Sequence, residues 1–247
     1  MKLTALTCMY EKPPSVMEAV LKSLLPAEER IVVLDRPSLD HQVAAGLHVL
    51  TAIVLDGPPG WRSPCLSWNA GMKHVTGDGL LIVQGDVVLD PGAVDAARLA
   101  LQERPAAYFG QVIESNPEIR KGPGHSATPL LCSSANPRPL TYLLAVPTDA
   151  VRAIGGWDEA FQAGVWYEDD DLTARLWKHG LDFIFDDRIS GMHQTHQRAY
   201  AHDIAIARNQ VIMLEKHGTL RLYEREHAKG RMRIEKEPGR MEWRHVS

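Results

Sequence analysis

Cysteine is scarce in this 247-residue chain, which holds three. Cys8, Cys65 and Cys132 are odd in number and far apart, so they do not read as a disulfide framework, and none stands at a zinc-site spacing. Long apolar runs are also missing. No stretch approaches the ~20 residues of a membrane span, so stable membrane insertion is not expected. The opening MKLTALTCMYEKPP lacks the apolar region and cleavage site of a secretory signal. Together with the free thiols this points to a reducing cytoplasm. Net charge is small, −4, and gives no general pull toward nucleic acid or anionic lipid. What remains is ordinary globular composition, with 45% hydrophobic and 23% charged residues. The length allows one large α/β domain or two small ones.

Apolar runs alternate with helical patterns along the chain. Residues 3–9 are β-prone until Pro13-Pro14 breaks the run. Ser15 with Glu18 three residues on predicts a capping box, and Val16, Ala19, Val20 and Leu24 keep the helical period. Residues 31–34, 48–55, 80–84, 107–113, 140–146 and 182–186 read as strands. Residues 67–75, 91–104, 171–179 and 201–217 read as helices. Residues 114–139 hold five prolines and two glycines without a period, a length of irregular chain that is usually functional or mobile. Residues 219–247 carry eight Lys or Arg and five Glu among few apolar residues, and are expected to fray as a charged tail. Its bases (Arg221, Arg225, Lys229, Arg231, Arg233, Lys236) read either as a solvated tail or as a contact for nucleic acid or anionic membrane. Alternating strands and helices imply a mostly parallel sheet covered on both faces, with ligands at the carboxyl ends of its strands. Asp35 and Asp86 fall at such ends.

Residues 155–171 read GGWDEAFQAGVWYEDDD. Glu168, Asp169, Asp170 and Asp171 directly precede the helical positions Leu172, Leu176 and Trp177. A solvated acidic turn is one sufficient account, because a helix start favours anions. The flanking Trp166, Tyr167 and Trp177 point to another, a cleft in which one carboxylate acts as general base.

Taken in order, these pieces resemble the glycosyltransferase family 2 type of GT-A glycosyltransferases, with a galactosyltransferase-type C-terminal segment. The resemblance covers roughly residues 3–218. Leu6-Thr7-Cys8-Met9-Tyr10 is similar to the family's "PTYNR" entry, without its Pro and Asn. Val32-Val33-Leu34-Asp35-Arg36-Pro37-Ser38 is similar to "VVDDGS", and Trp68-Asn69-Ala70-Gly71 to "RNxG". Val83-Gln84-Gly85-Asp86 stands where the metal-binding "DxD" belongs. GGWDEAF followed by YEDDDLTARLWKHG is similar to "GGFDExF…EDxDLxxRLxxxG", and NQVIMLEKHG (209–218) to the closing "NxxxFxxKWG".

The resemblance implies a GT-A, Rossmann-like fold: a mixed, mostly parallel sheet flanked by helices. It implies a donor half at about 1–110 and an acceptor half at about 140–218 of one domain. The implied activity is transfer of a hexosyl group from a nucleotide-diphosphate sugar, a UDP-sugar being expected, to an acceptor hydroxyl. Mn²⁺ or Mg²⁺ would balance the charge of the departing diphosphate. Asp86 and His193 are the implied metal ligands, with His196 a second candidate. Asp35 would meet the base or cap its own turn, and Thr7 and Cys8 would line the base through backbone groups. Gln84 and Gly85 would border the donor, Asn69 would bind it or close its own turn, and Trp157 would be a sugar-stacking platform or a core residue. Asp169 would be the base of an inverting reaction and Glu168 its neighbour on a sugar hydroxyl; a retaining reaction would need no such base.

Gln84 departs from the family, since it replaces the first carboxylate of the pair and removes a negative charge. That leaves open weak metal affinity without donor, metal independence, or a sugar-binding module without catalysis. A nucleotidyltransferase would want a Gly-rich basic loop, and residues 7–15 offer only Lys12. Implied acceptors are saccharide, lipid, protein or, in phage-type members, a modified DNA base.

Overall fold

Residues alternate between two apolar environments along each central strand, and that alternation places the helices. The computed structural model describes residues 1–10, 12–57, 63–116, 130–194 and 203–246. In chain order they form β1 (Leu3–Tyr10), α1 (Pro14–Ser23), β2 (Glu29–Asp35), α2 (Leu39–His48), β3 (Thr51–Leu55), α3 (Cys65–Met72), β4 (Gly79–Gln84) and β5 (Val87–Leu89). Next come α4 (Ala93–Glu103), β6 (Ala107–Glu114), β7 (Leu130–Cys132), β8 (Leu143–Pro147), α5 (Thr148–Ala153) and a 3-10 turn at Glu159–Phe161. The last elements are α6 (Glu168–Lys178), β9 (Phe183–His193), α7 (Asp203–His217), α8 (Leu222–Ala228), β10 (Met232–Glu237) and β11 (Arg240–His245).

The strands make one sheet in the order β10-β11-β9-β6-β8-β4-β1-β2-β3, with β5 on β9 and β7 on β6. The longest ladders, β6 on β9 and β1 on β2, are parallel, whereas β8 inserts antiparallel between β4 and β6. Val32, Leu34, Leu81 and Val83 pack with α1 and α4 on one face. Ile31, Val33, Leu80 and Ile82 pack with α3 and α6 on the other. Burial on both faces is why these strands read as unbroken apolar runs.

Three readings are corrected. The Ser15–Glu18 box does not form: α1 has no side-chain cap, the Pro13 carbonyl accepts from Val16 and Met17, and Glu18 pairs with Lys22 at 2.7 Å. A Pro in the first turn starts the helix instead. The capping box lies at Ser38–His41, opening α2, a helix absent from the sequence reading. Leu39, Val43 and Leu47 keep helical spacing there, but all three are exposed.

The third correction is the charged tail, which does not fray. Residues 219–246 build α8 and the β10–β11 hairpin, and β11 extends the sheet along β9. Met241 and Trp243 are buried while Arg240, Glu242 and Arg244 between them form ion pairs, an alternation written in RMEWR and masked by its charges.

Part of the proline-rich stretch is ordered. β7 buries Leu131 and Cys132, and the backbone N–H and hydroxyl of Ser134 donate to Asp187 at 2.8 and 2.5 Å. Residues 117–129 lie outside the described residues, as does His196. No described helix is long and apolar enough to cross a membrane.

Candidate active site

The sheet topology brings together three groups remote in sequence. Asp86 follows β4, and the chain turns at once into β5, which pairs Val87 opposite His193 at the end of β9. β6 runs parallel to β9 and ends with Glu114 opposite that same histidine. His193 Nε2 stands 3.4 Å from Asp86 Oδ2, and its Nδ1 stands 3.1 Å from Glu114 Oε1. All three are buried. Burial opposes charge on the imidazole, but Asp86 and Glu114 outweigh it and raise the His193 pKa above its ordinary value. Glu114 fixes the ring so that Nε2 faces the Asp86 carboxylate, the arrangement that orients histidine ligands in metal sites. One imidazole nitrogen and one carboxylate oxygen facing each other suit Mn²⁺ or Mg²⁺, with further oxygens drawn from elsewhere. Lys12 also reaches this point, its Nζ 2.5 Å from Asp86 Oδ2.

Next to it lies the end of the parallel half. Asp35 closes β2 and accepts from the Gly57 N–H at 3.1 Å. Cys8 neighbours both Val33 and Gln84 in the sheet, and burial followed by the charge of Asp35 pushes its thiol well above the usual range. Gly85 is required by packing, because a Cβ there would lie 2.5 Å from the Cys8 carbonyl oxygen. Thr7 is wholly buried within β1, whereas its neighbour Cys8 is half-buried.

Asn69 and Trp157 bind each other. The Asn69 amide donates to the Trp157 carbonyl and Glu159 and accepts from the Trp157 N–H, at 2.8–3.0 Å. Trp157 is 1% exposed and stacks on Trp68 with centroids 5.2 Å apart. The two residues tie α3 to the loop before α6.

The acidic run divides as a helix must divide it, each residue turned ~100° from the last. Glu168 accepts from the Ser63 hydroxyl at 2.8 Å. Asp169 accepts from the Thr141 hydroxyl. Asp171 points the other way, wholly buried, to Arg175 at 2.6 Å and His217 at 2.9 Å. Only Asp171 is therefore a structural charge, enclosed by bases as buried charges require. Burial, then Asp169, pushes Glu168 up to about 8, and burial, then Asp169, pushes Asp170 up to about 6. Burial also raises Asp169, against the Thr141 hydrogen bond that favours its ionised form.

Strained backbone presents this pair. Trp166 and Tyr167 have φ of 67° and 65°, a region that costs non-glycine residues on the order of 1 kcal/mol or more each. Asn209 of α7 holds the turn, its Nδ2 donating to the Phe161 and Trp166 carbonyls at 3.0 and 2.8 Å and lying 3.3 Å from the Ser63 hydroxyl. Gly164 must lack a side chain, since a Cβ would run into the Asn209 amide. Trp166 is 52% exposed, the aromatic face left open beside the acids.

A titration follows. The folded protein binds the Glu168 proton more tightly than the unfolded chain does. That stabilising contribution is complete below about pH 4.5 and is lost as pH rises through about 8. The melting temperature is expected to decline across that window, and that of Glu168→Gln to decline less. Parallel curves from scanning fluorimetry would show that Glu168 titrates normally.

One strap joins the two clusters. The Gln84 N–H donates to the Tyr142 carbonyl at 3.0 Å, and the adjacent Thr141 holds Asp169. The strand end that leads into Asp86 and the start of α6 therefore share residues 141–142. Sequence reasoning missed Glu114, Ser63, Thr141 and Asn209 as site residues. Asn209 alone carried a signal, as the first residue of the closing motif.

No protein-family model matches the sequence, and no curated protein matches it. Solved structures do. A mannosyltransferase from Pyrobaculum calidifontis, in complex with GDP-Man and Mn²⁺, is 15% identical at a TM-score of 0.59, over 81% of this chain and 58% of that one. S. aureus TarS 1-349 in complex with UDP-GlcNAc is 14% identical at 0.61, over 87% of this chain and 67% of that one. GalNAc-T7 with UDP, GalNAc and Mn²⁺ is 11% identical at 0.63, over 87% and 48%. This chain thus spans little more than half the length of the mannosyltransferase. At such identities the likeness is one of architecture, and the chain has the GT-A glycosyltransferase fold: a mixed, mostly parallel α/β sheet flanked by helices.

Proposed function

We propose that this protein transfers a hexosyl group from a nucleotide-diphosphate sugar, UDP-linked in the first instance, to an acceptor hydroxyl with inversion. The observation that carries the reading is the strap at residues 141–142, which seats the Asp86–His193 pair and the half-buried Asp169 at one end of the sheet. Asp86 and His193 would hold Mn²⁺ or Mg²⁺, which when bound neutralises charge building on the diphosphate. Mn²⁺ accompanies the nucleotide or nucleotide sugar in two of the similar structures. Asp35 and Cys8 border the base, and Gln84 and Gly85 lie at the turn toward the sugar. The acceptor oxygen bonds to the anomeric carbon as the bond to the diphosphate oxygen breaks, and its proton passes to Asp169. Glu168 hydrogen-bonds a hydroxyl of donor or acceptor beside it. The exposed Trp166 offers a stacking face. The acceptor is a saccharide, lipid, protein or modified nucleic-acid base.

A thermal-shift screen of UDP-, GDP-, CDP- and TDP-sugars with and without Mn²⁺ tests this directly. A UDP-sugar is expected to raise the melting temperature, more so with Mn²⁺, and Asp86→Ala to lose the Mn²⁺-dependent part. If no nucleotide sugar stabilises the protein, the proposal fails. Binding without any donor hydrolysis or transfer would favour a sugar-binding module, the alternative that Gln84 motivates.

A further inference from the structure

Lys12 stands at the cation position of the site, and the proposed reaction as written does not use it. Its Nζ lies 2.5 Å from Asp86 Oδ2, the same oxygen that faces His193 Nε2 at 3.4 Å. Both partners are largely shielded, at 19% and 8% side-chain exposure. An ammonium and a divalent ion brought to one carboxylate oxygen repel each other. In addition, Gln84 has withdrawn the charge of a second carboxylate that would otherwise serve both.

The lysine is placed, not merely nearby. Its carbonyl lies 2.6 Å from His41 Nε2. The Ser38 N–H can only donate, and it points at His41 Nδ1 from 3.1 Å. Nδ1 is therefore the acceptor, so Nε2 carries the hydrogen and donates to Lys12. Pro13 follows and restricts the Lys12 backbone to extended conformations. A pinned main chain thus carries a flexible stem with a compact charge at its tip, which can change partners without moving the fold.

We propose that Lys12 is the resident cation of the Asp86 site, holding the carboxylate while the site is empty and turning to the donor diphosphate when donor and metal enter together. The inference rests on the nucleotide-sugar reading above. Metal binding without donor is then weak because it must displace an ammonium, and a nucleoside diphosphate keeps one cationic contact even without metal.

Titration of Mn²⁺ into nucleotide-free protein, and of UDP into protein in EDTA, tests both halves by calorimetry. Lys12→Met, similar in length and uncharged, is expected to bind Mn²⁺ about tenfold more tightly and UDP in EDTA about tenfold more weakly than wild type. Lys12→Arg should stay near wild type in both. Unchanged or weaker Mn²⁺ binding by Lys12→Met, or unchanged UDP binding in EDTA, overturns the proposal while leaving the transferase reading intact. If no form binds UDP at all, both fall. Circular dichroism confirms the fold of each variant, and Lys12→Gln replaces Lys12→Met if the latter does not fold.

Discussion

Asp169→Asn is expected to lower transfer by about 10²- to 10⁴-fold, the usual contribution of a general base, while UDP affinity stays within a factor of about two. The variant keeps the shape of the site. Its amide oxygen still accepts from the Thr141 hydroxyl, and the residue is half-buried in the first turn of α6. What it loses is a pair of electrons basic enough to take a proton. The loss should therefore fall on kcat, measured by UDP release at saturating acceptor, because a group used only in the transition state shows itself there. The surroundings sharpen the expectation. Ser63 and Asn209 hold the strained turn that precedes α6, so the asparagine cannot drift away. A kcat within a few-fold of wild type would show that Asp169 is no base and would favour a retaining route.

The second large effect is on stability. Trp243→Ala is expected to cost about 3–5 kcal/mol, the range for deleting a buried tryptophan. Trp243 meets Phe185 with ring centroids 4.8 Å apart and Tyr223 at 5.3 Å, and its backbone pairs opposite Phe183. Its neighbours are large aromatics packed together on one face of the sheet end, so little can collapse into the void. Truncation after residue 218 should be worse. It strips β11 from β9, leaving a long edge strand open, a recognised route to aggregation. Urea denaturation of the point variant and light scattering of the truncation check the two. A cost below about 1 kcal/mol for Trp243→Ala would mean that the hairpin only decorates the sheet.

The sequence disclosed what is local and concealed what is assembled from afar. The apolar runs of β1, β2 and β4 were legible because both faces of the sheet are covered. Asp35 and Asp86 were legible because parallel strands point their ends at ligands. Glu114 was not, since its meaning comes from lying beside His193 on another strand. Thr141 and Ser63 were equally silent: nothing in their own neighbourhoods tells that they hold Asp169 and Glu168. For Asn69 and Trp157 the sequence left two readings open, and hydrogen bonding and stacking show the scaffold contacts both of them make. α2 carried an unread helical signal in the four-residue spacing of Leu39, Val43 and Leu47, whereas dense charge hid the two-residue period of the C-terminal hairpin.

The strap at residues 141–142 has a bearing on how this chain can vary in length. Both of its contacts are made within one peptide unit, between the pinned turn at Ser134 and the start of β8. A residue inserted or deleted in that span would misplace the acid and the metal-side strand end together. The span is short in slack, and lengthening is best absorbed elsewhere on the surface.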